Sequence, residues 1–143
     1  EYETKESGRT ITYIFQIYTD TGGAHPNTTY RTLTFDRKTG RPLTTADIFV
    51  PSTPFLDTLS TLARAKLPAI IAAREEVSVS EVQMDFIEDG TKPEPPSFMN
   101  FYFEPGTLTL IFPPYQVGPY VLGRVDLTIP TSEETGLRSE YAQ

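Results

Sequence analysis

Few residues in this chain can move a proton or attack a bond. The single imidazole, His25, sits in Thr21-Gly22-Gly23-Ala24-His25-Pro26-Asn27, shortly after Asp20. There it could serve as a general base or as a binding contact, and more simply as a loop histidine bonded to a backbone carbonyl. A carboxylate pair is the second candidate. Asp85 with Glu88 or Asp89 would share a helix face, and glycoside hydrolysis needs two acids about 5–9.5 Å apart. A solvated helix face explains the same spacing. With no cysteine, thiol nucleophiles, disulfides and zinc–thiolate sites are excluded, and one histidine removes paired-histidine metal motifs. The Gly-x-Ser-x-Gly elbow is absent, and Gly22-Gly23 is too short for a phosphate cradle. No catalytic residue, metal site or cofactor is assigned.

A third group is suited to contact rather than catalysis. Phe112-Pro113-Pro114-Tyr115-Gln116-Val117-Gly118-Pro119-Tyr120 joins three prolines and a glycine to two tyrosines and a glutamine. Proline stiffens the loop, and rigid aromatics lose little entropy on binding. The same tyrosines could instead pack beneath the loop. The ligand-binding candidates are His25, Asn27, Tyr115, Gln116 and Tyr120, with Glu88 and Asp89 as acidic steering residues. Asn27-Thr28-Thr29 matches a glycosylation sequon, though its neighbours favour a plain turn.

The 143 residues carry 12 basic and 19 acidic side chains, a formal charge of −7 and a pI near 4.7. That balance repels phosphate backbones, so nucleic acid is not an expected partner, whereas a cationic protein would be attracted. Acidic residues concentrate between Glu81 and Glu104, basic ones between Arg31 and Arg41. No run approaches the ~20 apolar residues of a membrane span. The chain opens at Glu1 without methionine and reads as an excised or mature piece.

The elements that must position these residues follow from periodicity. Ile11, Tyr13, Phe15 and Ile17 alternate along residues 10–19, predicting a strand that buries that face; a second strand over 29–36 buries Leu33 and Phe35 and pairs antiparallel with it. A short helical turn follows at Thr45-Ala46-Asp47-Ile48-Phe49. A longer helix starts at Thr53 and Pro54, with Pro68 kinking or ending it. Ser80 and Gln83 have capping-box spacing, placing a short helix over 80–89 that ends at Gly90. Lys92-Pro93-Glu94-Pro95-Pro96 is expected to be extended. Glu104-Pro105-Gly106 turns a hairpin between Phe101/Phe103 and Leu108/Leu110/Phe112, and Val125, Leu127 and Ile129 alternate in a closing strand. The fold expected is α+β: an antiparallel sheet of about four to five strands, covered on one face by one longer kinked helix and one short helix. All 143 residues form one domain, with a core over about 10–130 and a polar tail, 131–143, expected to fray.

Tyr18-Thr19-Asp20-Thr21-Gly22-Gly23-Ala24-His25-Pro26-Asn27, then Phe35-Asp36-Arg37-Lys38-Thr39-Gly40 and Leu43-Thr44-Thr45-Ala46-Asp47-Ile48-Phe49, resemble the RsiV-like family. Asn100-Phe101-Tyr102-Phe103, the Phe112–Tyr120 loop and Val125-Asp126-Leu127-Thr128-Ile129-Pro130 complete a likeness that spans about residues 10 to 130. The resemblance implies a bacterial extracytoplasmic domain, secreted or tethered to the envelope through a segment outside this chain. Such domains include the lysozyme-sensing part of an anti-sigma factor and companions of wall polysaccharide deacetylases.

The leading expectation is therefore a non-catalytic binding or sensing module for a cationic protein such as lysozyme, or for peptidoglycan. Two alternatives stand beside it. One is a hydrolase or deacetylase-type enzyme acting on envelope glycans through His25 or a carboxylate pair; the other is a structural spacer of a larger exported protein.

Overall fold

A computed structural model describes residues 1–133 and 136–143. The first half of the chain builds a four-stranded antiparallel sheet in sequential order: β1 (Tyr2–Glu6), β2 (Thr10–Thr19), β3 (Asn27–Asp36) and β4 (Pro42–Leu43). Strands β2 and β3 pair along their whole length, from Thr10 opposite Asp36 to Thr19 opposite Asn27. β-branched and aromatic residues dominate both, as a pleated surface favours. Asp36 closes β3 by accepting the backbone N–H groups of Lys38 at 2.8 Å and Thr39 at 3.1 Å. Gly40 then turns the chain with φ of 73°, which glycine tolerates because it has no Cβ.

The middle of the chain is helical. Thr44 and Asp47 form a capping box on α1 (Thr45–Ile48). The long helix α2 (Phe55–Glu75) begins after Pro54 and runs through Pro68. Pro68 lacks an N–H, but its ring is buried in the helix face that also buries Leu59, Ala63, Leu67 and Ile71, and that packing holds the helix across the missing bond. Thr53 does not cap it; its hydroxyl donates to the Val50 carbonyl at 2.7 Å. The expected Ser80 box is displaced: Ser78 and Glu81 form it, on a 3-10 turn over Val79–Glu81, and α3 follows at Met84–Gly90. The proline-rich stretch is not wholly extended, because Pro95–Phe98 forms another 3-10 turn with proline in its first positions.

The last third forms a second, three-stranded antiparallel sheet: β5 (Phe101–Glu104), β6 (Thr107–Phe112) and β7 (Val125–Pro130). Gly106, at φ of 77°, takes the left-handed position of the β5–β6 turn. Phe101, Phe103, Leu108, Leu110, Phe112, Val125, Leu127 and Ile129 face α2 and the other helices in the main core. The opposite face of this sheet sets Tyr102 and Ile111 against Ile14 and Tyr30 of the first sheet. The molecule is thus layered helix–sheet–sheet, an α+β fold with two sheets in place of the single sheet expected.

Three further expectations are corrected. Strand β1 had no counterpart in the reading from periodicity. The apolar face of β2 and β3 is turned outward: Leu33 is 53% exposed and Ile17 40%, while Thr10, Thr12 and Thr34 are buried. Threonine fits a buried sheet face when its hydroxyl is bonded, and here Thr12 and Thr34 bond each other at 2.9 Å while Thr34 donates to the Phe101 carbonyl. The polar tail does not fray where it is described. Leu137 pairs with Phe49 in a β-bridge, and buried Tyr141 stacks on Phe103 and donates to Asp36 at 3.1 Å.

Candidate functional site

Two distant segments converge at the end of the β2–β3 hairpin. The His25 ring stacks on Tyr120 at 4.8 Å between centroids, 28° from parallel, and Tyr115 lies 5.2 Å from Tyr120. The Tyr120 hydroxyl accepts the Thr28 N–H at 3.1 Å, which fixes the loop against the start of β3. His25 Nδ1 lies 2.9 Å from the Pro26 carbonyl. A carbonyl only accepts, so Nδ1 carries hydrogen and Nε2 is left to face the Tyr115 hydroxyl at 3.5 Å.

Tyr115 holds φ at 74°, a region that bulky side chains rarely occupy and that clusters at functional sites. The turn that imposes it is closed by the Gln116 N–H bonding the Pro113 carbonyl at 3.1 Å. Two prolines before Tyr115 stiffen the approach, and the ring stays 53% exposed. The signal in the sequence was the prolines; the positive φ was not readable.

The other candidates separate from this cluster. Gln116 donates to the Gly90 carbonyl at 2.9 Å and the Ser97 carbonyl at 2.8 Å, using both amide hydrogens to clamp α3 and the proline turn. Gly90 is required at that clamp, because a Cβ there would overlap the Gln116 carbonyl oxygen. Asn27 is exposed at the first position of β3. Glu88 and Asp89 are exposed on α3, Asp89 pairing with Lys92 at 2.9 Å. Asp85 is exposed as well, so no buried carboxylate pair forms there. Asp20 closes its own turn by accepting the Gly22 N–H at 3.0 Å.

Among the described residues, the most perturbed carboxylate is one that the sequence shows only as part of a turn. Asp36 is 3% exposed and accepts Arg9 Nε and Nη2 at 2.8–3.0 Å, together with Tyr141 and the two turn amides. The Arg9 guanidinium, and then the backbone and Tyr141 bonds, hold its carboxyl far below the ordinary 3.8 against the opposing effect of burial. Every bond favours the ionised form, so Asp36 is a lock joining β2, β3 and the C-terminal segment, not an acid for catalysis.

A cleft of about 290 Å³ contains Arg124, Tyr30 and Glu3. Arg124 is already bonded to Glu3 and twice to Asp126, and lies over the Tyr30 ring, so its charge is met within the chain. A larger apolar groove of about 600 Å³ runs beside Leu33, Pro42, Phe55 and Met99. Among the described residues, no group of three His, Asp or Glu is placed to hold a metal ion, and no helix is long and apolar enough to cross a membrane.

These features define a helix–sheet–sheet α+β domain with an exposed aromatic cluster and a buried ionic lock. Residues 46–132 match the family model described as protein of unknown function, DUF3298, and the chain belongs to that family. A crystal structure of a DUF3298 family member from Bacteroides fragilis superposes with a TM-score of 0.72 at 25% identity, covering 98% of this chain and 53% of that one. One from Pseudomonas aeruginosa gives 0.71 at 17% identity over 99% and 62%. Among curated proteins, the peptidoglycan-N-acetylmuramic acid deacetylase PdaC of Bacillus subtilis is 27% identical over 87% of this chain and 25% of its own length. An esterase of Mycobacterium tuberculosis is 24% identical over 86% and 50%. The chain thus spans a quarter to a half of these curated relatives. Their names overturn the expectation of a non-catalytic binding or sensing module for a cationic protein or peptidoglycan and favour the enzyme alternative: both relatives are named for hydrolysis of an acyl bond. The family shown is DUF3298; the finer RsiV-like assignment is not.

Proposed function

We propose that this chain is part of a hydrolase that removes acyl groups from envelope glycans, and that His25, Tyr115 and Tyr120 form the surface on which the sugar rests. The observation that carries this reading is the convergence of three rings on one exposed face, with Tyr115 held at φ of 74°. Aromatic faces pack against the apolar side of a pyranose, and a hydroxyl or ring nitrogen at their rim bonds its polar substituents. His25 Nε2 is the atom able to accept a proton from such a substituent. His25 lines neither the Arg124 cleft nor the apolar groove, so the aromatic face is a surface separate from both cavities. The relatives named deacetylase and esterase support the hydrolase reading, and the RsiV-like resemblance agrees with a place outside the cytoplasm.

The test is NMR titration with N-acetylated and de-N-acetylated wall-glycan fragments. Ring resonances of Tyr115, Tyr120 and His25 move, and Tyr115→Ala or Tyr120→Ala weakens binding about tenfold. In the complete enzyme the same changes raise KM for acyl release more than they lower kcat. Unmoved ring resonances with unaltered KM would refute the assignment.

A further inference from the structure

The apolar groove beside Leu33 exists because β4 is short. Only Pro42 and Leu43 pair with β3, opposite Phe35 and Thr34, and the chain then leaves the sheet for α1. Past that point the groove opens over about 600 Å³, walled by Leu33, Pro42, Phe55, Pro96 and Met99. Small-ligand sites run from about 300 to 1,000 Å³. Four threonines also line it, and each hydroxyl is already engaged within the chain. Thr32 accepts the Phe101 N–H and Thr34 donates to the Phe101 carbonyl, both at 3.2 Å. Thr44 donates to Asp47 at 2.9 Å and Thr45 to the Phe98 carbonyl at 2.6 Å. The groove thus offers hydrocarbon contact, and a polar group lodged there would lose water without gaining a partner.

Its rim carries a cation that no acid neutralises among the described residues. Every other arginine bonds a carboxylate or a backbone carbonyl. Arg31 instead donates to Met99 Sδ at 2.9 Å, and a thioether is a weak acceptor. Arg31 also lies on the Leu33 face of β3, two residues or about 7 Å along the strand. An apolar trough ending at an exposed guanidinium fits one kind of ligand, a hydrocarbon chain with an anionic head. The head that suits it is a carboxylate, which the guanidinium fork grips with two parallel bonds. A doubly charged phosphate would meet one available guanidinium only, because Arg41 is paired with Asp47 at 3.4 Å. A peptide strand is a poorer fit. Thr28 and Thr32, whose amides point off the free edge of β3, are bonded to the Tyr120 hydroxyl and Asn100 Oδ1, so an added strand finds no open ladder.

We infer that the groove binds a single-chain fatty carboxylate, its hydrocarbon lying along Leu33, Phe55 and Met99 and its carboxylate on Arg31. The inference is independent of the sugar-contact assignment. NMR of the chain carrying carbon-13 methyl methionine tests it, because the two methionines are placed differently: Met99 lines the groove and Met84, on α3, does not. Titration with decanoate moves the Met99 methyl resonance to saturation and leaves Met84 in place. Affinity rises from hexanoate to octanoate to decanoate, by about tenfold per step where both added methylenes are enclosed. Decyltrimethylammonium, with the same chain length and the opposite charge, binds about tenfold more weakly, and Arg31→Gln abolishes that preference. Ala46→Phe, which fills the groove from an exposed position, removes decanoate binding from a chain of unchanged melting temperature. A motionless Met99, affinity indifferent to chain length or to head charge, or a response seen only with phosphatidylcholine vesicles or on dimer formation overturns the inference.

Discussion

The two sheets bury their residues by different rules. In β5–β7, strand positions facing the helices are Phe, Leu, Val and Ile, fully enclosed, and hydrophobic transfer alone accounts for their placement. In β1–β4 the enclosed face carries Thr10, Thr12, Thr34 and Asp36 beside Ile14 and Tyr30, while Tyr2, Tyr13, Phe15 and Phe35 share the outward face with Leu33. The first sheet is held to its neighbours by satisfied polar groups as much as by apolar contact. A buried hydroxyl costs little when bonded and much when stranded, so the two sheets should respond to substitution in opposite ways.

The largest effect is expected in the second sheet. Phe103→Ala, at a position fully enclosed beneath the helices, costs about 3–5 kcal/mol in urea unfolding through lost transfer energy and a cavity. Next comes the ionic lock. Asp36→Asn strands Arg9 and lowers Tm by roughly 10 °C. Because the folded-state pKa of Asp36 lies below the ordinary 3.8, its contribution is fully present above that value. It is lost as pH falls below about 4, where the unfolded chain takes up the proton first. Calorimetry from pH 6 to pH 3 therefore gives a shallower acid decline for the Asn variant than for the parent; parallel declines would remove the lock from the account.

Smaller effects sharpen the contrast on the polar face. Thr34→Val strands both the Thr12 hydroxyl and the Phe101 carbonyl and costs about 1–3 kcal/mol. Thr12→Val leaves Thr34 its bond to Phe101 and costs less than about 1 kcal/mol. Chemical denaturation that ranks these two in reverse would contradict donation from the Thr34 hydroxyl to the Phe101 carbonyl. Least of all, Leu33→Thr on the outward face shifts the stability of this chain by no more than about 0.5 kcal/mol, as an exposed substitution does.

Much of the fold was legible locally. The β2–β3 hairpin, the Pro105-Gly106 turn, the alternation of β7 and the short helical turn that begins at Thr45 each depend on residues within a few positions of one another. Which face of β2 is buried was misread because alternation identifies two faces and says nothing about what covers each. The Asp36 network went unseen because Arg9, Asp36 and Tyr141 are brought together only by tertiary packing. For the candidate site, His25, Tyr115 and Tyr120 were each singled out from composition and loop stiffness. Their mutual stacking, and the assignment of Gln116 to clamping α3, required the fold.

The sequence by itself determined the chemistry at hand: no thiol, one imidazole, an acidic surface, and aromatic residues placed on proline-stiffened loops and alternating strands. Composition and short-range spacing set these things, because propensity and turn geometry act over a few residues. Tertiary structure alone decided that two sheets form, that Thr10, Thr12 and Thr34 rather than Leu33 and Ile17 face inward in the first, and that the C-terminal segment is anchored through Tyr141. Those outcomes depend on which surfaces meet across long stretches of chain, where the gain from burial and from satisfied hydrogen bonds is settled by the partner surface and not by the residue's own preference.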